Sequence, residues 1–363
     1  IYTPPEVISN EELVEAFNQY VANYNEEHAP AISDGSIEPL QASSAAFIEK
    51  ASGIKNRRVI NKSGILDPAR MTPFIAERSD DEPSIQCDMA VSAANEALQQ
   101  AGKTTSDIDA VIIACSNMPR AYPALSVEVQ SRLGIEGFAY DMNVACSSAT
   151  FGLQAAVNAV ENGTARAVLV ISPEICSAHL NFRDRDSHFI FGDACTAIVV
   201  EQMDNVTSQH VYEVVGTKLK TVFSNNIRNN FGFLNRCDES GQGQPDKLFI
   251  QQGRKVFKDV VPMVSSIISD HLQENDLSSD QLKRMWLHQA NLSMNKLISK
   301  KVLGREAEGL EAPVILDEYA NTSSAGSIIA FHKYKDDIQK GDIGVICSFG
   351  AGYSVGSVLL RKC

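Results

Sequence analysis

The sequence predicts an α/β fold built from two comparable halves. β-branched runs typical of buried strands alternate with stretches of helical apolar spacing between Asp88 and Glu201, and the alternation resumes after Lys247. Between these regions Ser224 to Asp246, with NNIRNN and ESGQGQPD, is a long polar surface loop, and the chain divides into residues 1–203 and 204–363. Ala145 to Gly152 (ACSSATFG) and Ala320 to Ser327 (ANTSSAGS) echo each other as strand ends running into small-residue helix starts, which reads as duplication.

Taken in order, Ser9 and Glu12 form a capping box opening a helix to about Tyr24, and APAISDGS after it reads as loop. Helical spacing from Asp88 to Gln100 stops at Ala101-Gly102, and Asp109 to Ser116 follows as a buried strand. The same logic gives helix Leu125–Leu133, strand Phe138–Ala145, helix Ser147–Asn162, and strands Ala167–Ser172 and Thr196–Glu201. Lys247 to Gln273 is an amphipathic helix with Val256, Phe257, Val260, Val261, Val264 and Ile267 on one face. Strand Arg284–His288, helix Leu292–Leu303, strand Val314–Asp317, helix Ser323–Tyr334 and a hairpin around Gly350–Gly352 complete the second half.

With 32 Lys and Arg against 45 Asp and Glu, the formal charge of -13 repels nucleic acid and anionic membranes, so an acidic partner must dock on a local basic patch. The eight cysteines are scattered singly with no C-x-x-C pair, which argues against a zinc or redox motif, predicts no metal site, and suits a reducing cytoplasm. The start, IYTPPEVISNEEL, has no basic-then-apolar leader, and no apolar run approaches the roughly 20 residues of a spanning helix.

Three reactive side chains fall at strand ends, where open α/β sheets place their ligands. Cys146 lies between YDMNVAC and a small-residue helix start, where the positive end of the helix dipole favours a thiolate; from position alone, a buried structural cysteine is an equal reading. His288 ends RMWLH, and Asn321 stands at YANTSSAGS, where alone it reads as an N-cap. Together they supply a nucleophile, an imidazole and a neutral amide donor. Phe349-Gly350-Ala351-Gly352 offers backbone able to approach a substrate closely and to aim an N–H at a thioester oxygen.

These features resemble β-ketoacyl-acyl-carrier-protein synthase III, the decarboxylating initiation branch of the thiolase-like condensing enzymes, over nearly the whole chain. The carriers are SGIKNRR (52–58), AYP (121–123), QSRLGI (130–135), VACSSATFGL (144–153), DRDSHFIFGDA (184–194), QGRKVFK (252–258), LHQANL (287–292), NTSSAGS (321–327) and FGAGYSVGS (349–357). The resemblance implies a five-layered α-β-α-β-α sandwich of two duplicated βαβαβ halves. It implies a decarboxylative condensation of an acyl-coenzyme A (CoA) primer with malonyl-acyl carrier protein, without a permanently bound cofactor, initiating fatty acid synthesis in the cytoplasm. Cys146 would carry the acyl group, His288 and Asn321 would hold the malonyl thioester, and the Cys146 and Ala351 amides would form the oxyanion hole. Tyr122, crossing a homodimer interface, and Phe349 would line the acyl pocket, while Phe47 and Arg185 would flank the adenine of CoA, Phe47 replacing a more usual tryptophan. Arg254, Lys258, Lys296, Lys300 and Lys301 are basic residues flanking the HQAN strand and would dock the carrier protein.

Several positions depart from the family pattern. Its first strand is expected ahead of Ile1, Ala320 and Ala351 replace glycines, and Ser293 stands where a basic residue commonly greets the carrier protein. Segments 21–46 and 65–85 are longer than the family core, which predicts a remodelled entrance and a medium-length primer. Elongating synthases would need histidine at Asn321, and thiolases would need a second cysteine in FGAGYS. The alternatives that remain are a hydroxymethylglutaryl-CoA synthase type of enzyme, a condensing enzyme of secondary metabolism, and a binding-only protein. Papain-like hydrolysis does not fit the HQAN and glycine contexts.

Overall fold

The computed structural model describes residues 1–230 and 232–363. The first half forms a four-stranded sheet in the order β4 (Phe138–Met142), β3 (Ala110–Ala114), β5 (Ala167–Ile175), β6 (Asp193–Glu201), with β6 antiparallel to its neighbour. The second sheet runs β10 (Leu282–Leu287), β11 (Ile343–Gly350), β12 (Ser354–Lys362), β7 (Tyr212–Thr221), with only β10 and β11 parallel. Every residue of β3, β5 and β11 is buried, which is why these segments read as continuous apolar runs and not as alternating ones.

Helices complete five layers. α5 (Ile85–Ala101) and α6 (Leu125–Leu133) cover the outer face of the first sheet through Ala90, Leu98 and Val129. α7 (Ser148–Glu161) and α11 (Ala325–Lys333) lie between the sheets, where Leu153, Ile328 and Ile329 meet Trp286, Ile346 and Val358. α8 (Gly253–Glu274) and α9 (Leu292–Leu303) cover the second sheet through Val260, Val264 and Ile298.

The chain entrance holds the predicted Ser9–Glu12 capping box, opening α1 (Asn10–Glu27). Two short strands, β1 (Glu6–Ser9) and β2 (Asn56–Val59), pair antiparallel, and α3 (Ala45–Ser52) and α4 (Lys62–Leu66) pack beside α1. A minor hairpin joins β8 (Ile227–Arg228) to β9 (Ile250–Gln251).

Three expectations change. APAISDGS contains a helical turn, α2 (Ala29–Ser33), because Pro30 fits the first turn of a helix, where no N–H is needed. The amphipathic helix begins at Gly253 and not at Lys247, since β9 takes Ile250 and Gln251. Val314–Asp317 is not a strand: Leu316–Tyr319 forms the turn α10, and Ile315 gives its main-chain N–H to the buried Gln289 side chain instead of to a sheet. No helix among the described residues is long and apolar enough to cross a membrane.

Candidate active site

The Cys146 turn is built by its neighbours. Asn143 Oδ1 accepts from the Ala145 N–H at 2.9 Å, and the Ser148 hydroxyl accepts from Val144 N–H while donating to the Ala145 carbonyl. The closed turn puts Ala145 at φ +48° and Cys146 in a single 3-10 turn ahead of α7. A left-handed alanine costs on the order of 1–2 kcal/mol, so the surrounding bonds must hold it. Gly350, ending β11, abuts this turn: a Cβ there would stand 2.6 Å from Cys146 Cβ and 3.0 Å from Sγ.

Burial pushes the half-buried Cys146 thiol up to about 11, against the Ser323 hydroxyl and the Cys146 and Ala351 amides, which pull it down. The thiolate expected from the helix dipole is therefore not the resting form, because desolvation outweighs these donors. Alkylation of Cys146 by iodoacetamide, followed on its own peptide by mass spectrometry, should rise about tenfold per pH unit from roughly pH 7 to 10. A plateau below pH 9 would contradict this.

His288 leaves β10 with its main-chain N–H on the Cys347 carbonyl at 2.8 Å. Its ring is buried and edge-on to Phe349, at 5.2 Å between centroids. Burial pushes its pKa down to about 4, the Ser323 main chain opposing weakly, so the imidazole is neutral at physiological pH. Asn321 is seated by its own main chain, with N–H to the Ile190 carbonyl and C=O from the Gly192 N–H, both at 3.0 Å. Its Oδ1 accepts from the Ser323 N–H at 2.9 Å, which leaves the Nδ2 amide as a donor.

Ser323 brings the three together: its hydroxyl donates to Cys146 Sγ at 3.5 Å, its N–H holds Asn321, and its main chain lies by the His288 ring. It sits at φ +51°, and Ala320 before Asn321 at φ +55°. Ser323 and the buried Glu174, whose carboxylate holds Ser324, carry no signal in sequence beyond a serine pair and a strand end.

The other predicted residues fall in separate places. Tyr122 is 86% exposed and lines a groove with Arg78, Arg120 and His179 that does not include Cys146. Phe349 is buried in the second half's core, beside the His288 ring. The Arg185 guanidinium stacks over the Phe47 ring at 4.3 Å. Arg254, Lys258, Lys296, Lys300 and Lys301 are all exposed on the adjoining α8 and α9, and Lys300 pairs with Glu306 at 2.7 Å. Among the described residues no three His, Cys, Asp or Glu side chains gather as metal ligands. All eight cysteines are free thiols.

Two four-stranded sheets with helices between and outside them, carrying the Cys146 turn and the Asn321 turn, are the fold of a thiolase-like condensing enzyme. The family model of 3-oxoacyl-[acyl-carrier-protein] synthase III matches residues 140–221, and its C-terminal model matches residues 272–362. A β-ketodecanoyl-[acyl-carrier-protein] synthase of Pseudomonas aeruginosa is 66% identical over 96% of this chain and all of its own length. A β-ketoacyl-[acyl-carrier-protein] synthase III of Aliivibrio fischeri is 30% identical over 92% of this chain and 99% of its own. The priming β-ketosynthase of the R1128 polyketide pathway shares the fold with a TM-score of 0.78 at 23% identity, over 99% of this chain and 93% of its own. The chain belongs to the β-ketoacyl-acyl-carrier-protein synthase III family and is an acyltransferase.

Proposed function

We propose that this enzyme condenses an eight-carbon acyl-CoA with malonyl-acyl carrier protein, releasing CO2. The observation that carries the reaction is the Ser323 junction, which gathers a thiol, a neutral imidazole and an amide donor. Cys146 attacks the acyl-CoA carbonyl, the oxyanion lies against the Cys146 and Ala351 amides, and CoA leaves as its thiol. The malonyl thioester then loses CO2, and its bonding pair becomes an enolate held by His288 and Asn321. Both groups are neutral, so neither retains the departing carboxylate. The enolate carbon attacks the acyl-Cys146 carbonyl, the carbon–sulfur bond breaks with its pair on sulfur, and the Cys146 thiolate takes one proton from water to return the thiol. The nucleophile belongs to residues 1–203 and the enolate-holding pair to residues 204–363.

The primer length comes from the relative named for a β-ketodecanoyl product, ten carbons long, of which malonyl supplies two. This agrees with a medium-length primer read from the long segments 21–46 and 65–85. Phe47 and Arg185, stacked at 4.3 Å, would part to admit adenine between ring and guanidinium. The exposed cations of α8 and α9 would receive the acidic carrier protein, and exposed Tyr122 would be covered by a second copy in a cytoplasmic homodimer. CoA enters as substrate, with no resident cofactor. A panel of acyl-CoA primers from two to twelve carbons, with malonyl-acyl carrier protein, should show kcat/KM highest at eight, about tenfold or more above acetyl. An enzyme fastest with acetyl-CoA would end this reading.

A further inference from the structure

We infer that Glu174 is a positioning residue that locks the Cys146 turn and the Asn321 turn to one another. Glu174 ends β5 in a strand without an exposed residue, and a carboxylate in such a place is costly unless its lone pairs are used. Its side-chain hydrogen-bond partners among the described residues are two serines and, at 3.9 Å, the Cys176 thiol, with no cation. Oε1 accepts from the N–H of Ser116 at 3.0 Å and of Ser324 at 3.2 Å, and from the Ser324 hydroxyl; Oε2 accepts from the Ser116 hydroxyl at 2.5 Å.

The two serines lead to the two turns. The Ser116 carbonyl accepts from Asn143 Nδ2 at 2.9 Å, and Asn143 Oδ1 holds the Ala145 N–H in the turn that presents Cys146. Ser324 follows Ser323, whose N–H orients the Asn321 amide and whose hydroxyl reaches Cys146 Sγ. Ala145 and Ser323 are both held in the left-handed region, so each turn needs an anchor that outlasts its strain. One carboxyl anchors both, across the seam between the halves.

This inference rests on Asn321 acting in decarboxylation, and the test separates the two claims. CO2 release from a malonyl thioester is measured for Glu174→Ala, Asn321→Ala and the double variant, with folding followed by circular dichroism. Glu174→Ala alone is expected to lose about 10- to 100-fold, the cost of a misplaced donor, yet less than about threefold once Asn321 is already alanine. Glu174→Gln should recover most of the rate, since its oxygen can accept from both main-chain N–H groups while its amide donates to Ser116. Where Glu174→Ala does not fold, Ser324→Ala carries the same cycle with about a 3- to 10-fold loss. Equal losses in both backgrounds, or a folded Glu174→Ala protein of wild-type rate, overturn the positioning role. A wild-type rate in Asn321→Ala overturns the role of Asn321 instead.

Discussion

Asn321→Ala should load Cys146 with acyl groups at close to the wild-type rate, while its CO2 release from a malonyl thioester falls about 100- to 1000-fold. Loading needs the thiol and the amides of Cys146 and Ala351, which act on Cys146 itself, and Asn321 is not among the groups that shift the thiol. Decarboxylation needs a donor for the new enolate, and in the proposed reaction that donor would be the Nδ2 amide, since Oδ1 is taken by Ser323. Cys146→Ala should do the reverse, forming no acyl-enzyme and no β-ketoacyl product while still decarboxylating malonyl thioester. Mass spectrometry of the intact protein reads the first half-reaction, and labelled CO2 reads the second. An Asn321→Ala protein that folds yet fails to acylate, or a Cys146→Ala protein that still condenses, would show that the roles are not divided in this way.

Gly350→Ala should cost about 100-fold or more in kcat/KM, with a loss of roughly 1–3 kcal/mol in stability. The new methyl would lie 2.6 Å from Cys146 Cβ, far inside contact distance, and Cβ is fixed by the main chain and cannot rotate away. Either the end of β11 retreats, carrying the Ala351 amide from the oxyanion site, or the Cys146 turn opens. Ala351 needs no such relief, because its φ lies outside the left-handed region that Gly352 adopts at +135°. The glycine that the site requires is thus Gly350, and the alanine at 351 is tolerated. Thermal melting and steady-state kinetics on the same preparation test the claim, and a folded variant within threefold of wild type would refute it.

Local chemistry decided what could be read from sequence. The helices at Leu125–Leu133 and Leu292–Leu303 end at glycines in the left-handed C-cap, and both ends were legible. Cys146 and His288 stand out in sequence because each follows a strand run, whereas Asn321 follows the helical turn α10 and not the strand expected there, so only its small-residue surroundings mark it. β7 was not legible, since YEVVGTKLKT is only half-buried and mixes its charges with its β-branched residues. Glu174 lies 150 residues from Ser324, and nothing near either position announces the other. The thiolate expectation failed for a related reason: a helix start is visible in sequence, whereas the protein packed around the sulfur is not.

The left-handed alanines before Cys146 and Asn321 have a consequence for descent. Ala145 at φ +48° and Ala320 at φ +55° each precede a site residue, one in each half. In an ancestor made of two identical copies, paired bends would have faced each other carrying identical side chains. Different residues after the two alanines would then let one bend carry the acyl group and the other hold the enolate in the proposed reaction.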